Sequence, residues 1–553
     1  MSLPRPSRSI SYWATTGTDK VTVPGQGTSA KSSLAVAARG LVPLLTPVLL
    51  FLLAFLLRAW GARFGLPEAF YHPDEHAIVE RASAILRTGD YSPHWFNYPS
   101  AYIYIQALTY IPYFLISAAR GFGNTIPSTA PYGFYFAGRL MTALLGALTV
   151  PLVYVLAKRM FDHRTGMISA VLLTLSLLHV VHSHYVTTDV PLAFFITLSL
   201  LFSYLALEKN EPRYTVLAGL FAGLATSTKY PGMIAFLPIL LVQFFSVERR
   251  NWGLLGQRLG LTLGAFLAGF FVGTPYAFLQ LNIFLRGLGS VLGHYSATQP
   301  GFEGRWTGIW YLSQMLSSAD VLAVAFSLGG VAWALFKHTR RDLLLLSFVI
   351  PYYVLLSIWR IRFERNLVAL LPFLAILGGR FLVQVVSSLA EKWPGMRKWE
   401  TLVLFGLVAL AVAVPAWAIV GFDNALSQRD HRTIAAEWVN ANVPAGSKVV
   451  TEAFSIPLDE DRFEVMELVR IDSEELEWYR RENIEYVIVS DGHWSVLFRE
   501  PERYAREIAT YNDILRESAV LGDFRRPAPP PLARGYPTIL IYHFPEVLIL
   551  DLE

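Results

Sequence analysis

From Leu41 to about Val420, apolar runs of roughly 20 residues, the length that crosses a hydrocarbon core, follow one another along the chain. Water cannot solvate that many, so lipid must surround most of this protein. The composition agrees, with 54% hydrophobic and only 16% charged residues and a mean hydropathy of +0.41, which excludes an ordinary soluble enzyme. The chain contains no cysteine. Disulfides, zinc ribbons, iron–sulfur clusters and thiol catalysis are therefore excluded, and any chemistry must use other side chains. These features specify a polytopic α-helical membrane protein.

The net charge of +4 conceals an asymmetry: about 25 of the 42 acidic residues but only about 14 of the 46 basic ones follow Gly421. A helical bundle with basic cytoplasmic loops, joined to a water-soluble domain, produces such a split, so the basic balance implies no nucleic-acid partner. The first forty residues are polar and carry Arg5, Arg8, Lys20, Lys31 and Arg39. They lack the apolar core and cleavage site of a signal peptide and read as a disordered cytoplasmic tail, 1–40.

The segment 101–119 is uncharged and long enough to span. If it did, the basic loops that follow would fall outside. If it lies along the membrane surface, Lys158/Arg159/Arg164, Lys209/Arg213, Arg249/Arg250/Arg258, Lys337/Arg340/Arg341 and Lys392/Arg397/Lys398 all become cytoplasmic. The expected spans are then roughly 41–59, 134–157, 167–182, 192–207, 214–228, 232–247, 260–278, 319–336, 342–358, 366–385 and 401–420. That is about eleven transmembrane helices, with the amino end in, the carboxyl end out and a long first outer loop, 60–133. After Gly421 the periodicity changes. The run Arg429 to Val439 has a helical period, as do 474–481 and 502–516, while Lys448-Val-Val-Thr, Glu485-Tyr-Val-Ile-Val-Ser and Thr538-Ile-Leu-Ile-Tyr are strand-like. Residues 421–553 are expected to form a small extracytoplasmic α/β domain, with a stiff proline-rich linker starting at Arg525.

The sharpest local signal is Tyr71-His-Pro-Asp-Glu-His76, which sets Asp74 and Glu75 in the first outer loop close to the membrane. A carboxylate held partly out of water can act as a general base toward a hydroxyl while its neighbour orients the acceptor. The same Pro-Asp-Glu is also a good first turn of a helix. Asp189 falls at the outer end of a span, where an acid is costly and usually has a task, although Thr188-Asp189-Val-Pro also resembles a helix cap. His182 and His184, two apart, point in different directions on a helix, and no metal site is assigned to them.

Basic residues on the outside break the charge rule: Lys229 in Thr228-Lys-Tyr-Pro-Gly, then Arg360, Arg362 and Arg365. An anionic ligand explains the exception, because arginine forks bind phosphate and a cation there can stabilise charge on a lipid-phosphate leaving group. Pairing with Glu364 or snorkelling to head groups is the plainer reading. His294 and Tyr295 are further candidates for lining a substrate path. Gly219 and Gly223 have the small-residue spacing of closely packed membrane helices. No glycine-rich phosphate loop or dinucleotide fingerprint is present, so any donor must come from the lipid.

Together, Asp74-Glu75, Phe96-Asn-Tyr-Pro-Ser100, the block starting Gly138-Arg-Leu-Met-Thr, Thr188-Asp-Val-Pro-Leu, Thr228-Lys-Tyr-Pro-Gly and Arg365-Asn-Leu-Val resemble, in that order, the GT-C glycosyltransferases. Most similar is glycosyltransferase family 39, the protein O-mannosyltransferases and aminoarabinose transferases. The resemblance implies that Asp74 is the catalytic base, that Glu75 completes an acidic pair and that Asp189 is the second family acid. It also implies a polyprenyl-phosphate sugar donor, attacked once with inversion by an acceptor hydroxyl, with Lys229, Arg362 and Arg365 at the donor phosphate. Aminoarabinose transferases carry a Lys where Tyr98 stands here and an acid where Asn97 stands, which favours a neutral hexose such as mannose and chemistry without a metal. His294 and Tyr98 are expected in the substrate cavity.

The expected function is thus transfer of a sugar from the lipid carrier to an extracytoplasmic protein or glycolipid at the plasma membrane. A transporter or lipid flippase with an outer anion site is the alternative. It accounts less well for ionisable groups gathered in outer loops rather than at the bilayer midplane.

Overall fold

The computed structural model describes residues 45–67, 72–119, 132–247, 251–297, 301, 304, 306–453, 455–498, 500–525 and 546–552. The tail 1–40, Tyr71, Arg249, Arg250, the strand-like run 538–542 and the proline-rich stretch from Arg526 lie outside the described residues. Residues 49–553 form one compact unit, and the unit before it, Met1–Val48, is described only from Leu45.

The helices in chain order are α1 (Leu45–Ala59), then α2 (Pro73–Thr88), α3 (Ala101–Ala119), α4 (Tyr132–Met160), α5 (His163–Thr174), α6 (Leu177–His182), α7 (Asp189–Lys209) and α8 (Pro212–Thr228). There follow α9 (Phe236–Ser246), α10 (Trp252–Gly273), α11 (Tyr276–Leu279), α12 (Leu281–Ser296), α13 (Thr307–Ser317), α14 (Val321–Lys337), α15 (Arg340–Ile358), α16 (Leu371–Lys392), α17 (Glu400–Leu426) and α18 (His431–Asn442). Among the described residues six helical stretches are long and apolar enough to cross a membrane, beginning at Tyr132, Asp189, Trp252, Arg340, Glu364 and Pro394. Four shorter apolar ones are Leu45–Ala59, Ala101–Ile116, Tyr230–Ser246 and Val321–Lys337. The chain is a polytopic helical membrane protein, as its apolar runs require.

Local chemistry sets the ends. Pro73 occupies the first turn of α2, His72 Nδ1 accepts from the Asp74 amide, and Gly89 closes the helix in the left-handed region. Thr339 and Asp342 cap α15 reciprocally. The segment 167–182, expected as one span, is instead broken at Leu175–Ser176 into α5 and α6. The break is stabilised by side chains: Arg58 donates to the carbonyls of Leu173 (3.1 Å) and Thr174 (3.3 Å), and the Asp320 carboxylate accepts from Leu177 N (3.2 Å). Peptide groups left over at two helix ends thereby find partners inside the bundle. As the spacing predicts, Gly219 and Gly223 of α8 let the α10 backbone approach. A Cβ at Gly219 would sit 2.9 Å from Thr262 O, and one at Gly223 2.1 Å from Phe266 O.

The C-terminal part is an α/β layer. Strands β1 (Lys448–Glu452), β2 (Glu464–Leu468), β3 (Tyr486–Ser490), β4 (Ala519–Phe524) and β5 (Val547–Asp551) form one sheet in the order β2-β1-β3-β5-β4. The first three run parallel, and β5 is antiparallel to both β3 and β4. Helices α19 (Leu476–Arg481), α20 (Asp491–Leu497) and α21 (Ala505–Glu517) complete it. Alternate strand residues serve opposite cores. Val450, Val487, Val489 and Leu550 pack on one face together with Ile361 and Phe363 from the link after α15, and Val449, Ile488, Val547 and Ile549 pack on the other with α18. The sheet thus sits directly against the loop that carries Arg362 and Arg365.

Candidate functional site

A cavity of about 750 Å³ opens between α2, the end of α8, α10, α12 and the link after α15. One end is polar, lined by Asp74, Asn97, Tyr98, Lys229, His294, Tyr295 and Arg365, and the other is apolar, with Phe266, Leu267, Phe270, Phe271, Phe284 and Val291. The apolar end belongs to the lipid side of the bundle: Leu263, Leu267, Phe271 and Val272 of α10 are exposed, and α12 has no fully buried residue. A ligand with a charged head and a long hydrocarbon tail matches this division.

Asp74, in the first turn of α2, is paired with Arg365, and both side chains keep some exposure, 22% and 15%. Arg365 enters from the 3₁₀ turn Glu364–Leu370 and lies over the Phe363 ring at 4.7 Å. Lys229 caps the end of α8 in extended conformation, so its side chain leaves the helix axis and reaches the cavity. Its Nζ donates to Asp189 Oδ1 (2.6 Å) and Asn366 Oδ1 (3.0 Å). Asp189 is buried at the amino end of α7, a position that favours a carboxylate, and it does not line the cavity. Its carboxylate holds the Lys229 ammonium in place.

Glu75 departs from its expected place beside the substrate. Although next to Asp74, it is fully buried behind the cavity, bound on both oxygens by Arg139 (2.9 and 2.8 Å) and by the Val186 amide (3.0 Å). The cause is helical geometry, which turns consecutive side chains about 100° apart, together with an arginine inside the apolar helix α4 that requires an acid. Arg362 likewise does not line the cavity. It stacks over Trp310 at 4.9 Å and approaches Glu500 of the α/β domain at 3.9 Å. The domain's apolar core claims its neighbours Ile361 and Phe363 and sets that orientation.

His294 and Tyr98 do line the cavity. Burial pushes the His294 imidazole below the usual histidine range. The His184 ring nitrogens lie 2.8 Å from Trp60 O and 2.9 Å from Val180 O, carbonyls that accept from a ring N–H, whereas the His182 ring lies 6.5 Å from that of Tyr185, so the two histidines serve different neighbours. Among the described residues no three histidine or carboxylate side chains converge as a metal site.

Several site residues went unrecognised in the sequence. Asn366 holds Lys229. Tyr230 donates to Phe96 O (2.6 Å) and fastens the Asn97-Tyr98 segment to the end of α8. Trp359 stacks on Tyr295 at 4.2 Å and lines the cavity. The Arg139 pairing had a signal, since a charge inside an apolar run asks for a counter-charge. Asn366 and Trp359 had none beyond lying beside the arginine cluster.

Comparison with known proteins bears on the fold and the family resemblance. A family model described as dolichyl-phosphate-mannose-protein mannosyltransferase matches residues 134–274. The undecaprenyl phosphate-alpha-4-amino-4-deoxy-L-arabinose arabinosyl transferase of Pseudomonas aeruginosa is 29% identical over 238 residues, 40% of this chain, and the match spans only 39% of that protein's length. Among solved structures, ArnT from Cupriavidus metallidurans in the apo state superposes with a TM-score of 0.51 at 18% identity, covering 93% of this chain and 98% of that one. The Archaeoglobus fulgidus oligosaccharyltransferase superposes with a TM-score of 0.52 at 14% identity, covering 84% and 70%. The chain carries the GT-C fold, and the resemblance to family 39 read from its motif order stands.

Proposed function

We propose that this protein is an inverting glycosyltransferase of the plasma membrane that moves a sugar from a polyprenyl-phosphate carrier to an extracytoplasmic protein or glycolipid. The observation that carries the reading is the single cavity in which Asp74, Arg365 and Lys229 share a polar end continuous with an aromatic, lipid-side end. The description of the matching family model and the arabinosyl transferase relative, both named for polyprenyl-type phosphate donors, support it. So does the ArnT structure bound to undecaprenyl phosphate, with a TM-score of 0.52 at 16% identity. The topology that suits it has about eleven spans, the amino end in the cytoplasm, and the cavity and the α/β domain outside.

In this reading the polyprenyl chain lies along the Phe270, Phe271 and Phe284 end and the phosphate meets Lys229 and Arg365. Arg365 is the partner of Asp74. An arriving phosphate draws the guanidinium away and frees the carboxylate as a base. Asp74 then takes the proton of the acceptor hydroxyl, whose oxygen attacks the anomeric carbon. The bond from that carbon to the phosphate oxygen breaks, and the charge left on the polyprenyl phosphate is received by the two cations. Asp189 and Asn366 keep Lys229 in position. With Asn97 and Tyr98 rather than charged groups on the wall, a neutral hexose such as mannose fits, and no step calls for a metal.

Purified protein in vesicles, offered a set of polyprenyl-phosphate sugars, tests this by release of polyprenyl phosphate. Mass spectrometry of extracytoplasmic glycoproteins and glycolipids from cells with and without the Asp74→Asn variant then identifies the sugar and acceptor. Identical glycan profiles at equal membrane abundance would remove the reading.

A further inference from the structure

A second cavity, of about 650 Å³, lies apart from the first. Its walls are the turn that follows α1 (59–67), Phe136 of α4, and the link from α17 into α18 (426–433). The turn closes tightly because Gly61 adopts a φ of +85°, and a Cβ there would meet Leu426 Cβ at 2.8 Å and Asp423 O at 3.2 Å. Both helices that end at this cavity present bare apolar faces: Leu49, Leu52, Leu53 and Leu56 on α1, and Phe405, Leu410, Val414 and Trp417 on α17. In a chain that spans a membrane those faces meet lipid, so the cavity opens where acyl chains give way to head groups, and Trp60 stands at the level such residues prefer.

Among the described residues the charges at this cavity do not balance. Arg429 pairs with Glu437, and Asp430 is bound by Arg432 through its backbone amide, Nε and Nη2. Arg63 is left over. Its guanidinium rests over the Phe136 ring at 5.0 Å, and among the described residues no carboxylate lies within ion-pair reach of it. Ser427 and Gln428 line the same wall with exposed polar groups. An aromatic-backed arginine beside the Gln428 amide, open to the bilayer edge, is suited to an anionic oxygen cluster carried by a lipid.

We propose that this cavity binds the phosphate head group of an acidic phospholipid, with Arg63 as its main cation and Trp60 at the glycerol level. The site is distinct from the one holding Asp74 and does not depend on the sugar-transfer reading. It is nevertheless joined to it physically. Arg139 donates to Ala62 O (3.2 Å) and Phe64 O (2.7 Å) in the wall of this cavity while gripping Glu75, the neighbour of Asp74.

Native mass spectrometry of the full chain, released from nanodiscs of phosphatidylglycerol diluted in phosphatidylcholine, provides the test. Wild-type protein is expected to retain one phosphatidylglycerol selectively, and Arg63→Gln to weaken that retention about tenfold. Arg63 is exposed, and among the described residues its side chain makes no hydrogen bond that its replacement would orphan; thermal melting of the variant verifies the fold. Millimolar inorganic phosphate is the second probe. Failure of phosphate to displace the lipid supports a lipid head-group site, whereas equal displacement reassigns the source to free phosphate and overturns the lipid claim. Unchanged retention in both Arg63→Gln and Trp60→Ala would also overturn it. Neither outcome bears on turnover by Asp74.

Discussion

Asp74 and Glu75 are consecutive residues of one helical turn, each paired with an arginine, and they stand in opposite surroundings. Asp74 and Arg365 meet on a cavity wall with part of each side chain accessible. Glu75 and Arg139 meet with none, saturated by each other, the Val186 amide and two carbonyls of the turn after α1. The front pair keeps valences that a ligand can claim; the rear pair has none left. A buried ion pair of this kind gains little over an apolar packing and is costly to break on one side only. Its role is to fix where α2 begins, and with it where Asp74 points.

The largest effect predicted from this contrast is on stability. Glu75→Gln leaves Arg139 charged and buried, and should cost about 3–5 kcal/mol, read as loss of folded protein in the membrane and a lower melting temperature. The double change Glu75→Leu with Arg139→Met, which leaves no lone charge, should recover part of that loss. If the double variant is as unstable as the single one, the rear pair is more than a scaffold.

Next in size is the cation at the front. Lys229→Met should lower kcat by about 10²–10³ through lost stabilisation of the leaving phosphate. Asp189→Asn should lower it less, because Asn366 still holds the ammonium. Steady-state rates at matched abundance decide, and equal losses would make Asp189 more than a positioning residue.

A third acid sharpens the rule. Glu452, at the end of β1, is buried like Glu75 but faces no arginine: Tyr511, Ile471 N (3.2 Å) and Ser490 N (2.8 Å) donate to it. Burial, which those donors only partly offset, pushes its carboxyl up to about 7. Between the ordinary glutamate range and that value the unfolded chain loses its proton first, so stability falls as pH rises. Below the window both states are protonated, and above it the loss, about 3 kcal/mol, is complete. Melting of wild type should therefore drop from pH 4.5 to 7, and Glu452→Gln should flatten the profile. A flat wild-type profile would contradict the buried, cation-free assignment.

The smallest effect belongs to Arg362, whose contact with Glu500 is long and partly exposed. Arg362→Gln should cost under about 1 kcal/mol of stability and leave donor binding intact, measured by thermal shift with polyprenyl phosphate. A clear loss of binding would return Arg362 to the cavity.

How far the sequence revealed this arrangement follows from the same contrast. The apolar runs and the order of motifs carry the fold, because spanning length and helix caps are local properties. Asp74, Lys229, Arg365 and His294 were legible as candidates because polar groups beside apolar runs are anomalous wherever they occur, and Tyr98 through the family resemblance alone. Glu75 and Asp74 were not separable, since which of two adjacent carboxylates turns inward depends on Arg139, 64 residues away in the chain. The division of 167–182 into two helices depends on Arg58 and Asp320, contributed by distant helices. The edge strands β2 and β4, and β5 between β3 and β4, pass unnoticed because runs of five or six residues give little periodicity.

The most direct test of the central claim, that the front acid performs chemistry while its neighbour holds the frame, is turnover and polyprenyl-phosphate binding in Asp74→Asn, measured on the same reconstituted protein. The account predicts turnover reduced by about 10²–10⁴, with the fold intact and lipid-phosphate binding retained, or tightened because Arg365 no longer has a competing carboxylate. Turnover near the wild-type level in Asp74→Asn would contradict it.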